Sequence, residues 1–326
     1  MTMEPLPPTV DTARPGQAPS PQLPTTASSA TGSIFDLGYR GYEGPRLGRR
    51  HAVYALFVYS LRSAYGIGRG GRAKIVPIGL AILATLPAVI SIAVRAFAAQ
   101  AGVGSEIEQI DPIRYDSYYG YVSTIVMLFV AAQAPELLGR DQRHHVLSLY
   151  FSRALLRIDY VAAKMAAFVA AILVLVLIPQ AVIFVGLVIS ERDIVAALGD
   201  NIGSVPPVLA VAATIALLLG AIGLAISAFT PRRAYATAAI MAVIIVPGVV
   251  AQIVIDATTG GLTRYIVLVS PGSVLDGVNA FLFGTRPQAD EVVRADLAEG
   301  LYLIVAVAVI VVLGGALVRR YQRIEA

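Results

Sequence analysis

The chain has no cysteine, and among its 326 residues only 14% are charged. The first absence excludes disulfides and thiolate metal sites. The second, with 57% of residues hydrophobic, lies far from the roughly 25% charged composition of soluble domains. Lysine is scarce too: Lys74 and Lys164 are the two present, and arginine carries nearly all the positive charge. Catalytic motifs are equally lacking. No G-x-x-x-x-G-K-[ST] phosphate loop occurs, so the chain offers no ATP site of its own. No H-E-x-x-H occurs, and His144 and His145 are adjacent, so on a helix they point about 100° apart rather than at one metal. Gly66, Gly68 and Gly71 spell G-x-G-x-x-G, but no strand precedes them, and the arginines between them suit a turn that faces lipid headgroups. No acid or base stands at a span centre, Asp256 and Glu136 falling at span ends where water is available. That argues against an embedded protease and against a proton-coupled antiporter. Scattered outer acids argue against a membrane-bound transferase.

What is present is length without polar interruption. A crossing needs about 20 mostly apolar residues, and six stretches meet this, at 75–95, 118–137, 161–189, 205–229, 235–256 and 300–318. The expected fold is all-α, a polytopic membrane protein with a transmembrane domain over 75–318. Residues 1–33 are rich in Pro, Ser, Thr and Ala and read as a disordered cytoplasmic tail rather than a signal peptide. Residues 34–74 are basic. Within them Val53, Leu56, Phe57, Leu61 and Ala64 share a helical face, expected to lie on the membrane surface as an amphipathic interfacial helix. With the N-terminus inside, 19 of the 25 Lys/Arg fall on cytoplasmic segments, Lys164 included, and a short cytoplasmic tail covers 319–326. The apolar stretch Tyr265 to Phe283 is broken by Pro271-Gly272 and carries Asp276 and Asn279. It reads as an outer re-entrant hairpin before the last span, because a seventh crossing would put the arginine-rich C-terminal end outside. Ala216/Gly220 and Gly223/Ser227 have the small-xxx-small spacing that lets helices approach closely.

The connection from Pro135 to Lys164 is the most informative segment. Leu147, Tyr150, Phe151, Ala154, Leu155 and Ile158 fall on one continuous helical face, with Arg143, Ser148, Ser152, Arg153 and Arg157 largely off it. Such a helix suits a groove on a soluble partner; periodicity alone favours a surface helix packed under its own bundle.

The wording of this segment, with Leu147, Leu149, Tyr150, Arg153, Leu155, Arg157, Tyr160 and Lys164 in a fixed pattern, resembles the first cytoplasmic loop of ABC transporter type 2 permeases. The layout from about residue 35 to 326 is similar to that family as well, while Ala154 stands where the family often has proline. The resemblance implies a permease that dimerises with a second copy or a paralogue in the cell membrane, binds separate ABC ATPase subunits that hold ATP and Mg, and moves a substrate outward. It implies a coupling helix whose interface is Arg143, Leu147, Tyr150, Phe151, Arg153, Leu155 and Arg157. Because the second and fifth spans commonly border the route in that family, Ser123, Thr124, Gln133 and Gln252 are the candidate route residues, interhelical hydrogen bonding being the competing role. No cofactor is expected in this chain and no nucleic-acid partner. A mainly apolar route favours a hydrophobic or amphiphilic substrate, drug-like or lipid. A membrane module that holds an ATPase for signalling or scaffolding is the alternative.

Overall fold

The computed structural model describes residues 44, 47–101, 113–144, 146–152, 155–190, 193–230, 232–258 and 261–323. The 1–33 tail, Arg153, Ala154 and His145 lie outside the described residues. The described residues from 47 onward belong to one compact unit.

Among the described residues six helices are long and apolar enough to cross a membrane, and the chain is a multi-pass α-helical membrane protein. They are α2 (Arg72–Ala101), the helix that begins as α3 (Tyr118–Ala134) and runs on to Arg143, α6 (Arg157–Ser190), α8 (Val205–Phe229), α9 (Arg233–Ala257) and α12 (Glu299–Gln322). Shorter elements join them: α1 (Gly48–Ala64) before the first; a π-helical turn (Pro135–Gly139), α4 (Arg140–Arg143) and α5 (Leu147–Phe151) after α3; α7 (Ile194–Ile202) between α6 and α8. A 3-10 helix (Gly261–Val269), α10 (Pro271–Phe283) and α11 (Asp290–Ala295) lie between α9 and α12. The 3-10 helix and α10 are bent by 95° at Ser270. The 319–326 tail expected from sequence is helical through Gln322, because α12 runs on past its apolar stretch.

The core forms where small residues let helices meet. Gly223 of α8 faces α3 so closely that a Cβ there would stand 2.7 Å from Val130 and 3.1 Å from Ala134. Gly277 of α10 packs against the ring of Tyr302 on α12, where a Cβ would collide with it. The Tyr118 hydroxyl donates to the Ala84 carbonyl at 2.8 Å and ties α3 to α2.

The first helix departs from expectation. Leu56 and Ala64 are buried, and Val53, Phe57 and Leu61 pack on the same core, so the apolar face of α1 is covered by protein rather than by the membrane surface. Arg49 forks onto Asp159 at 2.6 and 2.7 Å, and the Tyr65 hydroxyl donates to the Ala171 carbonyl at 2.7 Å; both partners are on α6. The turn that follows needs glycine at Gly66, where φ is +69° and the Ala73 carbonyl would stand 2.5 Å from a Cβ.

Candidate functional site

At one end of the bundle several ionisable groups form a partly buried network. Its origin is local. Pro135 has no N–H to give the carbonyl four residues back, that of Ala131, and this carbonyl instead accepts from the Thr237 hydroxyl of α9 at 3.0 Å. The π turn that follows loosens the backbone ladder. Its Leu137 carbonyl accepts from Lys164 Nζ at 3.2 Å, and its Gly139 carbonyl from Arg143 Nε at 3.2 Å.

Glu136, on this turn, is clamped between two arginines: Arg233 at 2.6 Å and Arg69 at 3.2 Å. Sequence reasoning left Glu136 to water and turned the 66–71 arginines toward headgroups; Arg69 points inward instead, also donating to the Ser63 hydroxyl. One turn later Asp141 pairs with Lys164 at 2.8 Å, and the two side chains are 13% and 3% exposed. Asp141 also accepts from the Tyr160 hydroxyl at 2.8 Å. The ring of Tyr160 is the hub of an aromatic cluster, 5.5 Å from Tyr150, 6.0 Å from Phe151 and 5.5 Å from Tyr321. Gln142 donates to the Tyr321 hydroxyl at 2.8 Å and to the Ala228 carbonyl at 3.3 Å. Four long helices and the π turn are thereby locked at one end. A cavity of about 390 Å³, lined by Tyr59, Arg69, Glu136, Asp141, Tyr150 and Lys164 among others, opens beside the pair. Burial, and next Asp141, pushes the Tyr150 hydroxyl up to about 12, so it stays a neutral donor.

The continuous helix expected from Leu147 to Ile158 is broken. The first piece ends at Phe151, and a new helix starts at Arg157, where the Asp159 carboxylate accepts from the Leu156 N–H at 3.1 Å. That acidic side chain reaching back to the residue before the helix is one half of a capping box, and Arg49 holds it there. Of the expected interface residues, Leu147, Tyr150 and Phe151 are half-buried and pack against the core, and Leu155 is buried. Arg157 lies 5.7 Å from the Phe151 ring and donates to the Gln322 carbonyl at 2.8 Å. Arg143 is exposed, as are Ser148, Leu149, Ser152 and Leu156.

The four route candidates do not converge within the chain. Gln133 is buried, and Ser123 donates to the Gly120 carbonyl of its own helix at 3.1 Å. Thr124 and Gln252 are exposed on α3 and α9. Sequence reasoning missed the Asp141–Lys164 pair. The available signal was a lone lysine just inside an apolar run, which must find a partner.

No family model matches the chain, and no curated protein matches it either.

Proposed function

We propose that the chain is the membrane-spanning subunit of an ATP-driven exporter of the ABC type 2 permease kind, with a separate chain supplying the ATPase, ATP and Mg. The observation that carries the reading is the mounting of α5. Its inner side is fixed to the bundle through Tyr150 and Phe151 on Tyr160, while Leu149, 66% exposed, faces out with Ser148 and Ser152. A helix that transmits a partner's motion must be attached rigidly to what it moves. Tyr150 and Phe151 therefore serve as the anchor, and the docking face passes to Leu149 and Leu156, with Arg143 at the charged rim.

In this reading the charged end is cytoplasmic, both termini are inside, and the membrane is the cell membrane. Asp256 at the end of α9 meets Arg294 before α12 at 2.5 Å, which supports an intervening segment that enters and leaves at the outer end as a re-entrant hairpin. A second copy set against the exposed faces of α3 and α9 would enclose Thr124 and Gln252 along the route, whose apolar walls suit a hydrophobic or amphiphilic substrate. The test is affinity purification in mild detergent. The chain brings down a phosphate-loop ATPase, and Leu149→Asp abolishes this without changing the elution profile of the permease. Retained ATPase in that variant would count against the interface. ATPase binding without export by reconstituted vesicles would favour the scaffold alternative.

A further inference from the structure

We propose that α7 is an interfacial helix, with its apolar face in the lipid at the end of the bundle opposite the charged network and its other face walling a polar cavity. The partner is the bilayer surface itself. The inference rests on the six-span fold and needs no ATPase.

The two faces of α7 are cleanly divided. Asp193 fixes where the helix starts, its carboxylate accepting from the Val195 and Ala196 N–H groups at 3.0 and 3.2 Å. At about 100° per residue, Ile194, Val195, Leu198 and Ile202 then fall within an arc of about 100°. They are 57%, 80%, 42% and 58% exposed. Asp193, Ala196, Ala197, Asp200 and Asn201 occupy the opposite side, and all of them line a cavity of about 1010 Å³. Ala197 is buried, and the Asn201 side-chain oxygen accepts from the Tyr115 hydroxyl at 3.0 Å. That bond holds the polar side inward and so sets the rotation of the helix about its own axis. The apolar side is left open among the described residues.

The position of α7 selects lipid as the occupant of that side. Ser190 ends α6 and Ile194 starts α7, while Ile202 ends α7 and Val205 starts α8, so two spans hold the helix at the membrane face. Those spans carry exposed apolar side chains toward the same end, Val185 and Ile189 on α6 and Leu209 on α8. The open face of α7 therefore continues a surface that already meets lipid. Its four side chains are few against the roughly 20–30 residues a side that a stable protein interface engages. Ile194–Ile202 contains no Lys or Arg, and Asp193 and Asp200 line the cavity. The helix accordingly enters lipid by apolar burial and not by attraction to anionic headgroups.

Because the chain lacks cysteine, Val195→Cys, Ile202→Cys, Asp200→Cys and, in mid-span on α12, Val311→Cys can each carry one fluorophore on the full chain. Val311 is 65% exposed and reports lipid contact directly. Each variant is reconstituted in phosphatidylcholine vesicles with or without bromine on the acyl chains. Brominated lipid quenches Val195→Cys and Ile202→Cys at least about threefold more than Asp200→Cys, as an apolar face about 5–10 Å into the acyl boundary requires. Adding phosphatidylglycerol leaves that ratio unchanged. Quenching of Val195→Cys no greater than that of Asp200→Cys, with Val311→Cys strongly quenched, overturns the proposal and leaves the six-span fold standing. Absence of quenching at Val311→Cys as well sinks the membrane reading together with it. A ratio that appears only with anionic lipid overturns the apolar mechanism. Oxidation of unlabelled Val195→Cys to a disulfide between copies assigns the face to a second copy and overturns the lipid assignment.

Discussion

Replacing Asp141 by asparagine removes one charge from a pair whose ammonium is 3% exposed. Lys164 would keep the Leu137 carbonyl at 3.2 Å and the Tyr160 ring, 5.6 Å from its nitrogen, neither of which neutralises it. Leaving one partner of a buried pair uncompensated costs about 3–5 kcal/mol, and Asp141→Asn is expected at the lower figure because its amide oxygen still accepts. Lys164→Met strands the carboxylate instead, but Asp141 is 13% exposed and retains the Tyr160 hydroxyl at 2.8 Å. Its cost is expected to be smaller, about 2 kcal/mol. The double variant Asp141→Leu/Lys164→Met removes both charges and should recover most of the loss, since apolar replacement of a buried pair is often close to neutral. The assay is thermal unfolding of the purified chain in one detergent, followed by monodispersity in size exclusion. Additive losses, with the double variant worse than either single one, would refute the pairing.

Gly223→Ala should destabilise by about 1–3 kcal/mol through overpacking against Val130 and Ala134. Gly220→Ala, whose nearest neighbour would be 3.4 Å away, should stay within about 0.5 kcal/mol; paired melts check both. With the Tyr150 hydroxyl raised to about 12 from an ordinary value of about 10, folding is favoured below pH about 10, and that contribution is lost as pH climbs toward 12. Tyr150→Phe should flatten this part of an alkaline unfolding curve. Gly277→Ala should lower the melting temperature by forcing the Tyr302 ring aside, and adding Tyr302→Leu should restore part of it.

The six crossings were legible because each span carries its own signal, a run of apolar residues long enough for the bilayer. What covers a helical face was not. Val53, Leu56 and Phe57 announce a face, but only contacts with α6, far off in sequence, put protein rather than lipid upon it. The break after Phe151 hid for a similar reason. The 147–158 periodicity runs on unbroken, while the decision to restart belongs to Asp159, held by Arg49 110 residues away. Small-residue spacing flagged Gly220 and Gly223 alike, yet only the partner helix decides which is tight. At the site, Lys164 and Asp141 were visible as residues and invisible as a pair, because they stand on different helices and the turn just before Asp141 is π-helical, which shifts its register from the α-helical one.

Since the chain contains no cysteine, single cysteines can report which side of the membrane each end of the bundle occupies. Leu149→Cys on α5 and Asp200→Cys on α7 are exposed positions at opposite ends. In intact cells a membrane-impermeant maleimide should label Asp200→Cys and leave Leu149→Cys untouched until the membrane is opened. Labelling of Leu149→Cys from outside would contradict the placement of α5 where an ATPase can grip it.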